Sequence, residues 1–332
     1  MASNNYNNQQ FYMAERQSFH GTATAIVDQP QTAAEAITLA GLDWTVEKAP
    51  VHTSINGVDV AIPERKALYR SDTNEVLSVM SNTYEVVQNA QAFGFVDDIL
   101  GGPDVRFTTG GSLNGGKRVW LGAVLDREIY IGGDADEQID PYIMFANSHD
   151  GTMAVSAWIT PIRLSCWNAL TWSMKSAARS WKARHTKNVT GKFMDARQML
   201  GIASRYFDDL EEIGNALITT KVSKWQMNKM VNDLIPMPEG KRADEVEEGR
   251  AKTIVLNRRD AVMDCLNADD LANVKDTAWG FVQAVADWDD HHRGAKNADV
   301  RTDRTLFGTA AFKQRSLNIA KEVMDERTMI AA

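Results

Sequence analysis

The stretch VRFTTGGSLNGGKRVWLGAVLDREIYI, residues 105–131, decides the fold class of this chain. Two long β-prone segments flank Asn114-Gly115, and Asn-Gly is the strongest two-residue signal for a β-hairpin because both turn positions need φ above zero. The same pattern of β-prone segments on both sides of a turn occurs around Asn56-Gly57 in APVHTSINGVDVAIP and around Asp150-Gly151 in PYIMFANSHDGTMAVSAWIT. Three turns of this kind predict a mostly antiparallel sheet.

Segments with helical spacing of apolar residues accompany these hairpins. NAQAFGFVDDIL predicts a helix, and a longer helix is predicted from Leu164 to His185. Beyond Gly191 the β pattern disappears, and several helical segments follow, with a break at Pro236 and Pro238. We therefore expect an α+β fold: an antiparallel β-hairpin sheet packed with a long helix, followed by a mainly helical C-terminal region.

Composition suggests three parts and a water-soluble chain. Residues 1–40, rich in Asn and Gln and then in Ala and Thr, are expected to form a flexible arm with one short helix near its end, residues 41–190 an α+β core, and residues 191–332 the helical region. No run approaches the roughly 18 to 20 apolar residues that span a bilayer, and no secretory signal pattern opens the chain. We expect a cytoplasmic location without membrane contact. Two cysteines, Cys166 and Cys265, are too few for a disulfide framework or a structural zinc site.

The charges are segregated along the chain. Lys and Arg number 36 against 44 Asp and Glu, which gives a net charge of -8. Residues 151–194 nevertheless contain no acidic residue and seven cations: Arg163, Lys175, Arg179, Lys182, Arg184, Lys187 and Lys192. An acidic protein with one basic segment is suited to a local anionic partner.

The predicted helix over this basic segment has two distinct faces. At about 100° per residue, one stripe is apolar and should face the core: Trp167, Leu170, Met174, Ala177 and Trp181. The other stripe combines Asn168 and Trp172 with Lys175, Arg179 and Lys182. An exposed indole among cations is what base stacking and phosphate contact require of a single-stranded nucleic-acid groove. The alternative is that Trp172 packs under a neighbouring helix and the cations only solvate that face.

The predicted nucleic-acid-binding set extends this face in both directions along the chain. Its members are Lys117, Arg118, Arg163, Asn168, Trp172, Lys175, Arg179, Lys182, Arg184 and Lys187. Lys117 and Arg118 belong to GSLNGGKR, residues 111–118, which matches the first seven positions of a phosphate-binding P-loop. Arg118 replaces the hydroxyl that would hold magnesium, and a strand follows where the motif needs a helix. The segment is therefore predicted to be a glycine-rich hairpin tip.

Catalytic signals are weak. Asp287, Asp290 and His291 in DWDDHH share one helical face and could ligate a divalent metal, or they could form a solvated helix end. The sequence contains no H-E-x-x-H or G-x-S-x-G motif and no Cys with a suggestive His partner. We assign no catalytic residue and expect no cofactor.

Four segments resemble a known family: YEVVQNAQAFGFVDDIL, NGGKRVWLGAVL, ANSHDGTMAVSAWITPIRLSCWNAL and RTLFGTAAFKQRSLNIA. They are similar to the phage and plasmid-like proteins of domain-of-unknown-function family 932, and the resemblance spans about Gly41 to Ala320. It implies a mobile-element protein in the bacterial cytoplasm. Hairpins followed by a basic helix are also similar in topology to phage single-strand annealing proteins of the Rad52 type, although no annealing signature motif is present.

Three functions follow from these observations. The leading hypothesis is a phage-encoded, non-enzymatic protein that binds or anneals single-stranded DNA as a homo-oligomer, with a phage exonuclease or a host protein as a further partner. The second is a structural or host-interaction protein that acts through its helical C-terminal region. The third is a metal-dependent nuclease that uses Asp287, Asp290 and His291.

Overall fold

The structure is a computed structural model. It describes residues 11–14, 24–26, 30, 32–100, 105–163, 168–170, 180–186, 189, 191, 198–237, 245–308 and 310–331. These residues form two compact units. The first unit takes its described residues from Met1–Asp126, Tyr142–Ile159 and Ala178–Ser204, and the second from Arg127–Pro141, Thr160–Ala177 and Arg205–Ala332.

The secondary structure consists of strands in the first half of the chain and helices in the second. The strands are β1 (Phe11–Ala14), β2 (Thr24–Ile26), β3 (Val46–Ile55), β4 (Val58–Arg70), β5 (Val76–Ser81), β6 (Val105–Leu113), β7 (Arg118–Leu125), β8 (Ile129–Tyr130), β9 (Gln138–Ser148), β10 (Val155–Arg163), β11 (Asn168–Ala169) and β12 (Ser180–Ala183). The helices are α1 (Ala33–Leu39), α2 (Asn89–Leu100), α3 (Gln198–Thr219), α4 (Lys224–Leu234), α5 (Glu245–Leu266), α6 (Ala278–Asp287), α7 (Ala298–Phe307) and α8 (Ala311–Ala331). A π-helical turn, Trp288–His292, continues α6.

The larger sheet of the first unit has the strand order β10-β9-β7-β6-β1-β2, and β12 pairs with β10. Its β6–β7 hairpin turns at residues 114–117, with Leu113 opposite Arg118, as the Asn-Gly signal predicts. All six residues from Val119 to Val124 are buried, which explains their continuous apolar sequence. β1 pairs antiparallel with β6, so this part of the expected N-terminal arm belongs to the sheet.

The smaller sheet of the first unit has the order β3-β4-β5. Its first turn consists of Asn56 and Gly57, with φ values of 51° and 80°, as the sequence predicts. β5 pairs with β4 only over residues 65–69. Residues 51–62 therefore extend past β5 as a two-stranded projection, which we call the hairpin arm.

The helix α1 begins with the capping interactions that its sequence encodes. Thr32 accepts from the Glu35 amide at 3.2 Å, and the Glu35 carboxylate accepts from the Thr32 amide at 3.3 Å. Asp97 in α2 also accepts from the Ala33 amide at 2.9 Å. These contacts satisfy amides that the first helical turn leaves without partners.

The second unit is mainly helical, with β8 paired to the start of β9 and β11 paired to the end of β10. Trp279, Tyr206, Phe207 and Phe281 are fully buried in it. The Trp279 indole donates to the buried Glu137 carboxylate at 2.6 Å. Every helix in the described part of the chain falls short of the length and apolar character that crossing a bilayer requires.

The predicted α+β class and the helical C-terminal region are confirmed. The helix predicted from Leu164 to His185 is wrong in its described parts, because residues 168–169 and 180–183 are strands that pair with β10. Residues 164–167 and 171–179 lie outside the described residues. The division at residues 40 and 190 stays a prediction.

Candidate nucleic-acid interface

One end of the larger sheet in the first unit brings together four strand termini. β7 begins there with Arg118, which lies opposite Ser148 at the end of β9. β10 begins there with Val155, which lies opposite Ala183 at the end of β12. Because neighbouring strands are about 4.8 Å apart, the end of the sheet measures about 14 Å from β7 to β12.

Four of the predicted DNA-contacting residues lie at or beside this end, and we call them the cationic edge: Lys117, Arg118, Lys182 and Arg184. Lys182 and Arg184 are exposed, and the other two are half-buried. Among the described residues, no carboxylate lies within ion-pair distance of Lys117, Lys182 or Arg184. Three positive charges can therefore meet an anionic ligand without first breaking an ion pair of the described structure.

The fourth cation is oriented by its neighbours. Arg118 Nε donates to Thr152 Oγ1 at 3.1 Å, and Thr152 Oγ1 donates to Asp150 Oδ1 at 2.6 Å. The turn after β9 thus orients the Arg118 guanidinium. Asp150 adds a negative charge to the same turn, so the charge pattern at this end is mixed.

The strand conformation of residues 180–183 changes which side chains are presented. Side chains alternate across a strand, so Ser180 and Lys182 are exposed while Ala183 is buried and Trp181 is half-buried. The Trp181 ring lies 6.1 Å from that of Phe95. Trp181 was predicted to lie on the stripe of a helix that faces the protein core. It does turn inward in part, but because of strand alternation.

A stacked aromatic pair lies beside Arg184. The rings of Tyr84 and His185 are 5.0 Å apart with an angle of 16° between their planes. His185 Nδ1 donates to the Glu85 carbonyl at 3.2 Å, and Tyr84 Oη donates to the Ser148 carbonyl at 3.2 Å. Burial lowers the pKa of His185 from 6.5, so its ring is neutral at pH 7. Sequence reasoning missed this pair because its members are far apart in the chain.

A buried polar network supports the turn between β9 and β10. His149 is fully buried, and its Nε2 donates to Asn89 Oδ1 at 2.9 Å. Asn89 in turn donates to the Leu42 carbonyl at 2.9 Å. Burial, with a smaller contribution from the nearby His185, lowers the pKa of His149 to about 3. His149 is therefore neutral and has a structural role in positioning the turn that holds Arg118.

The remaining predicted contacts divide into two groups. Arg163 and Asn168 are backbone partners between β10 and β11 in the second unit, and their side chains lie outside the described residues. Trp172, Lys175, Arg179 and Lys187 lie outside them altogether. Of the predicted contacts whose side chains the structure describes, the four members of the cationic edge lie together.

The predicted metal ligands occupy different environments in the second unit. Asp290 is buried, and its carboxylate accepts from Lys313 Nζ at 2.6 Å and from the Ala169 amide at 3.0 Å. Burial raises the pKa of Asp290 from 3.8, while Lys313 acts in the opposite direction. His291 is half-buried on the π-helical turn. Asp287 approaches different partners.

Asp287 belongs to a cluster with Cys265 and His292. One ligand atom from each side chain lies within 4.8 Å of the other two, and no other group of three His, Cys, Asp or Glu in the described part of the chain does this. Burial raises the pKa of the Cys265 thiol, as does the neighbouring Asp287 carboxylate, which also accepts a hydrogen bond from the thiol. This cluster was not predictable from the sequence, because Cys265 lies in an ordinary helical pattern.

A family model described as a domain of unknown function, DUF932, matches residues 76–309, more than half of the chain. The matched region includes the cationic edge and the cluster around Asp287. No curated protein and no solved structure matches the chain.

Proposed function

The chain belongs to the DUF932 family, whose description leaves the activity open, and we propose that it binds single-stranded DNA at the cationic edge, without catalysis. The proposal includes annealing of complementary strands by a homo-oligomer, in the bacterial cytoplasm and in the service of a phage or another mobile element. A phage exonuclease or a host protein would supply or receive the DNA.

The observation that carries the proposal is the grouping of four cations at one end of a sheet. Lys117, Lys182 and Arg184 have no carboxylate partner among the described residues, in a protein whose net charge is -8. The roughly 14 Å from β7 to β12 covers several phosphates of a strand. A local positive surface on an acidic protein favours a phosphate backbone at this place and disfavours it elsewhere.

The stacked Tyr84–His185 pair supports single-stranded DNA over a duplex. In this proposal an unpaired base stacks on the neutral, half-buried aromatic pair next to Arg184, and such contacts contribute about 1 to 3 kcal/mol per base. Bases of a duplex are stacked on each other and do not present this face. In this proposal the pair provides the base stacking that was predicted for Trp172, and a contact of Trp172 with DNA stays a prediction.

Self-assembly is supported by the hairpin arm. Ile55 pairs with Val58, and Thr53 with Val60, so these four side chains share one face. Ile55, Val58 and Val60 are 54%, 64% and 42% exposed. A two-stranded projection with an uncovered apolar face is marginally stable in water. The face carries no charge, so it suits the identical face of a second copy and not a phosphate backbone.

The test is a salt titration of binding to a labelled single-stranded oligonucleotide. Four phosphate contacts predict that log K falls against log salt with a slope of about -2.8, since single strands contribute about -0.7 per contact. Lys182→Ala with Arg184→Ala removes two contacts and should reduce the slope to about -1.4. Both residues are exposed, so the substitutions leave the core intact.

A matched control separates local contacts from net charge. Lys224→Ala with Lys275→Ala removes two exposed lysines from the second unit and changes the net charge equally. Its slope and affinity should stay near those of the unchanged chain. An edge variant with an unchanged slope, or a control variant with the same loss, would refute binding at the cationic edge.

A second candidate function is interaction with a host protein through the helical region. Trp225 on α4 is 72% exposed, and Ile254 and Leu256 on α5 are 42% and 46% exposed. Exposed tryptophan is enriched at protein interfaces. Two results together would favour this function: the chain fails to bind oligonucleotides, and a purified host protein that binds the unchanged chain no longer binds the Trp225→Ala variant.

The metal-dependent nuclease stays a prediction at Asp287, Asp290 and His291. Asp290 is already bound by Lys313 and by the Ala169 amide, which weakens the case for it as a ligand. This function would be favoured over binding alone if the chain cleaves oligonucleotides in magnesium or manganese and a folded Asp290→Ala variant does not.

A further inference from the structure

The cluster of Cys265, Asp287 and His292 in the second unit is built by three different elements. Cys265 lies in the last turn of α5, Asp287 ends α6, and His292 ends the π-helical turn. His292 Nε2 lies 3.4 Å from Asp287 Oδ2. Three chemically different ligand types thus converge, Asp287 and His292 from one continuous helical segment and Cys265 from α5.

The π-helical turn is what brings His292 to Asp287. In an α-helix, residues five apart are rotated by about 500°, which leaves them about 140° apart around the axis. Here the Arg293 amide donates to the Trp288 carbonyl at 2.6 Å, five residues back, so the turn is wider. Residues five apart then lie nearly above each other. Such turns are rare and occur frequently at functional sites.

The distances match the geometry of a tetrahedral metal site. With Zn–N and Zn–O bonds of about 2.1 Å, tetrahedral ligands N and O are about 3.4 Å apart. The observed separation of His292 Nε2 and Asp287 Oδ2 is 3.4 Å. Cys265 Sγ lies within 4.8 Å of one ligand atom of each of these two side chains, so a small movement can bring the sulfur to an ion held between them.

The donor set selects the metal. A thiolate with imidazole and carboxylate suits zinc, whereas magnesium and calcium require oxygen ligands. The His292 side chain is 57% exposed and that of Asp287 14%, so the cluster opens to solvent on one side. Zinc sites with three protein ligands keep their fourth position for water or substrate.

We propose that Cys265, Asp287 and His292 form a zinc site with three protein ligands and one exchangeable position. Coordination forms the Zn–S bond and breaks the S–H bond of Cys265, and the proton passes to solvent. Without the ion, the thiol donates to Asp287, so the cluster has a stable arrangement in both states. The site is independent of DNA binding at the cationic edge, and either proposal can fail alone.

The experiment is a Co²⁺ titration of the full chain after removal of metal with a chelator. The expected result is one Co²⁺ per chain, with a thiolate-to-cobalt charge-transfer absorption that an equimolar amount of Zn²⁺ abolishes. Binding without this absorption would overturn the proposal, since it would show that no thiolate is a ligand.

Variants assign the ligands. Cys265→Ser should abolish the absorption, and His292→Gln should weaken Co²⁺ binding at least about tenfold, since even loss of an outer partner of a ligand costs about 10- to 100-fold. Cys166→Ser is the matched control and should retain the absorption. Should Cys265→Ser fail to fold by circular dichroism, His292→Gln, whose side chain is exposed, decides: unchanged affinity overturns the site.

Discussion

Lys313 and Asp290 form an ion pair in which both side chains are 2% exposed, and its removal should be strongly destabilising. Lys313 Nζ donates to Asp290 Oδ1 at 2.6 Å and to the Ala169 carbonyl at 2.8 Å. Asp290 also accepts from the Ala169 amide. The pair therefore satisfies both backbone groups of Ala169 in the short strand β11.

Lys313→Met retains most of the side-chain volume but leaves a buried carboxylate without its cation and a carbonyl without its donor. Removing one partner of a buried pair costs about 3 to 5 kcal/mol of unfolding free energy, and the orphaned carbonyl accounts for about 1 to 3 kcal/mol of this. Adding Asp290→Asn removes the uncompensated charge and should recover at least about 2 kcal/mol. Urea denaturation followed by circular dichroism measures the unchanged chain, Lys313→Met, Asp290→Asn and the double variant.

The pH dependence provides a second readout. The pKa of Asp290 is raised above 3.8 by burial, and loss of Lys313 should raise it further. Stability linked to a raised carboxyl pKa is present at low pH and is lost as pH rises through the folded-state pKa. The deficit of Lys313→Met should therefore shrink on acidification. A cost below about 1 kcal/mol, or a double variant whose cost is the sum of the single costs, would refute the reasoning.

Two further predictions concern the first unit. Ile55→Asp with Val58→Asp should lower the molar mass measured by light scattering to that of one chain. The control, His52→Asp with Ser54→Asp on the opposite face of the hairpin arm, should leave the mass unchanged. Equal masses for both variants would contradict self-assembly through the arm. His149 has its pKa lowered to about 3, so the unfolded state binds more protons below its normal pKa of 6.5. Each pH unit below about 6.5 should therefore cost about 1.4 kcal/mol of unfolding free energy, and His149→Gln should flatten this dependence.

Local signals predicted much of the fold because they act over a few residues. The turn at Asn56 and Gly57 has the positive φ values that Asn-Gly indicates. The Thr32 and Glu35 capping interactions place the start of α1 where a helix was expected. Residues 278–287 lie in the region expected to be helical beyond Gly191 and form α6, whose nine residues from Ala278 to Ala286 are all buried.

The candidate site was predictable only in part. Lys117 and Arg118 were expected at a hairpin tip, and they lie there. Lys182 and Arg184 were assigned to a helix, and the structure places Lys182 on a strand and Arg184 just after it. Ala, Arg and Lys around Lys182 favour a helix by intrinsic propensity, and pairing with β10 overrides that preference.

The sequence by itself determined the class of each strong element, the positions of the hairpin turns and the segregation of positive charge, because propensity, turn chemistry and composition are local properties. Only the tertiary structure decided that Tyr84 stacks on His185 and that Asp287 meets Cys265 and His292 instead of Asp290 and His291. These contacts join residues on separate elements, or depend on a widened helical turn. Their energies arise from packing and burial, which sequence spacing does not encode.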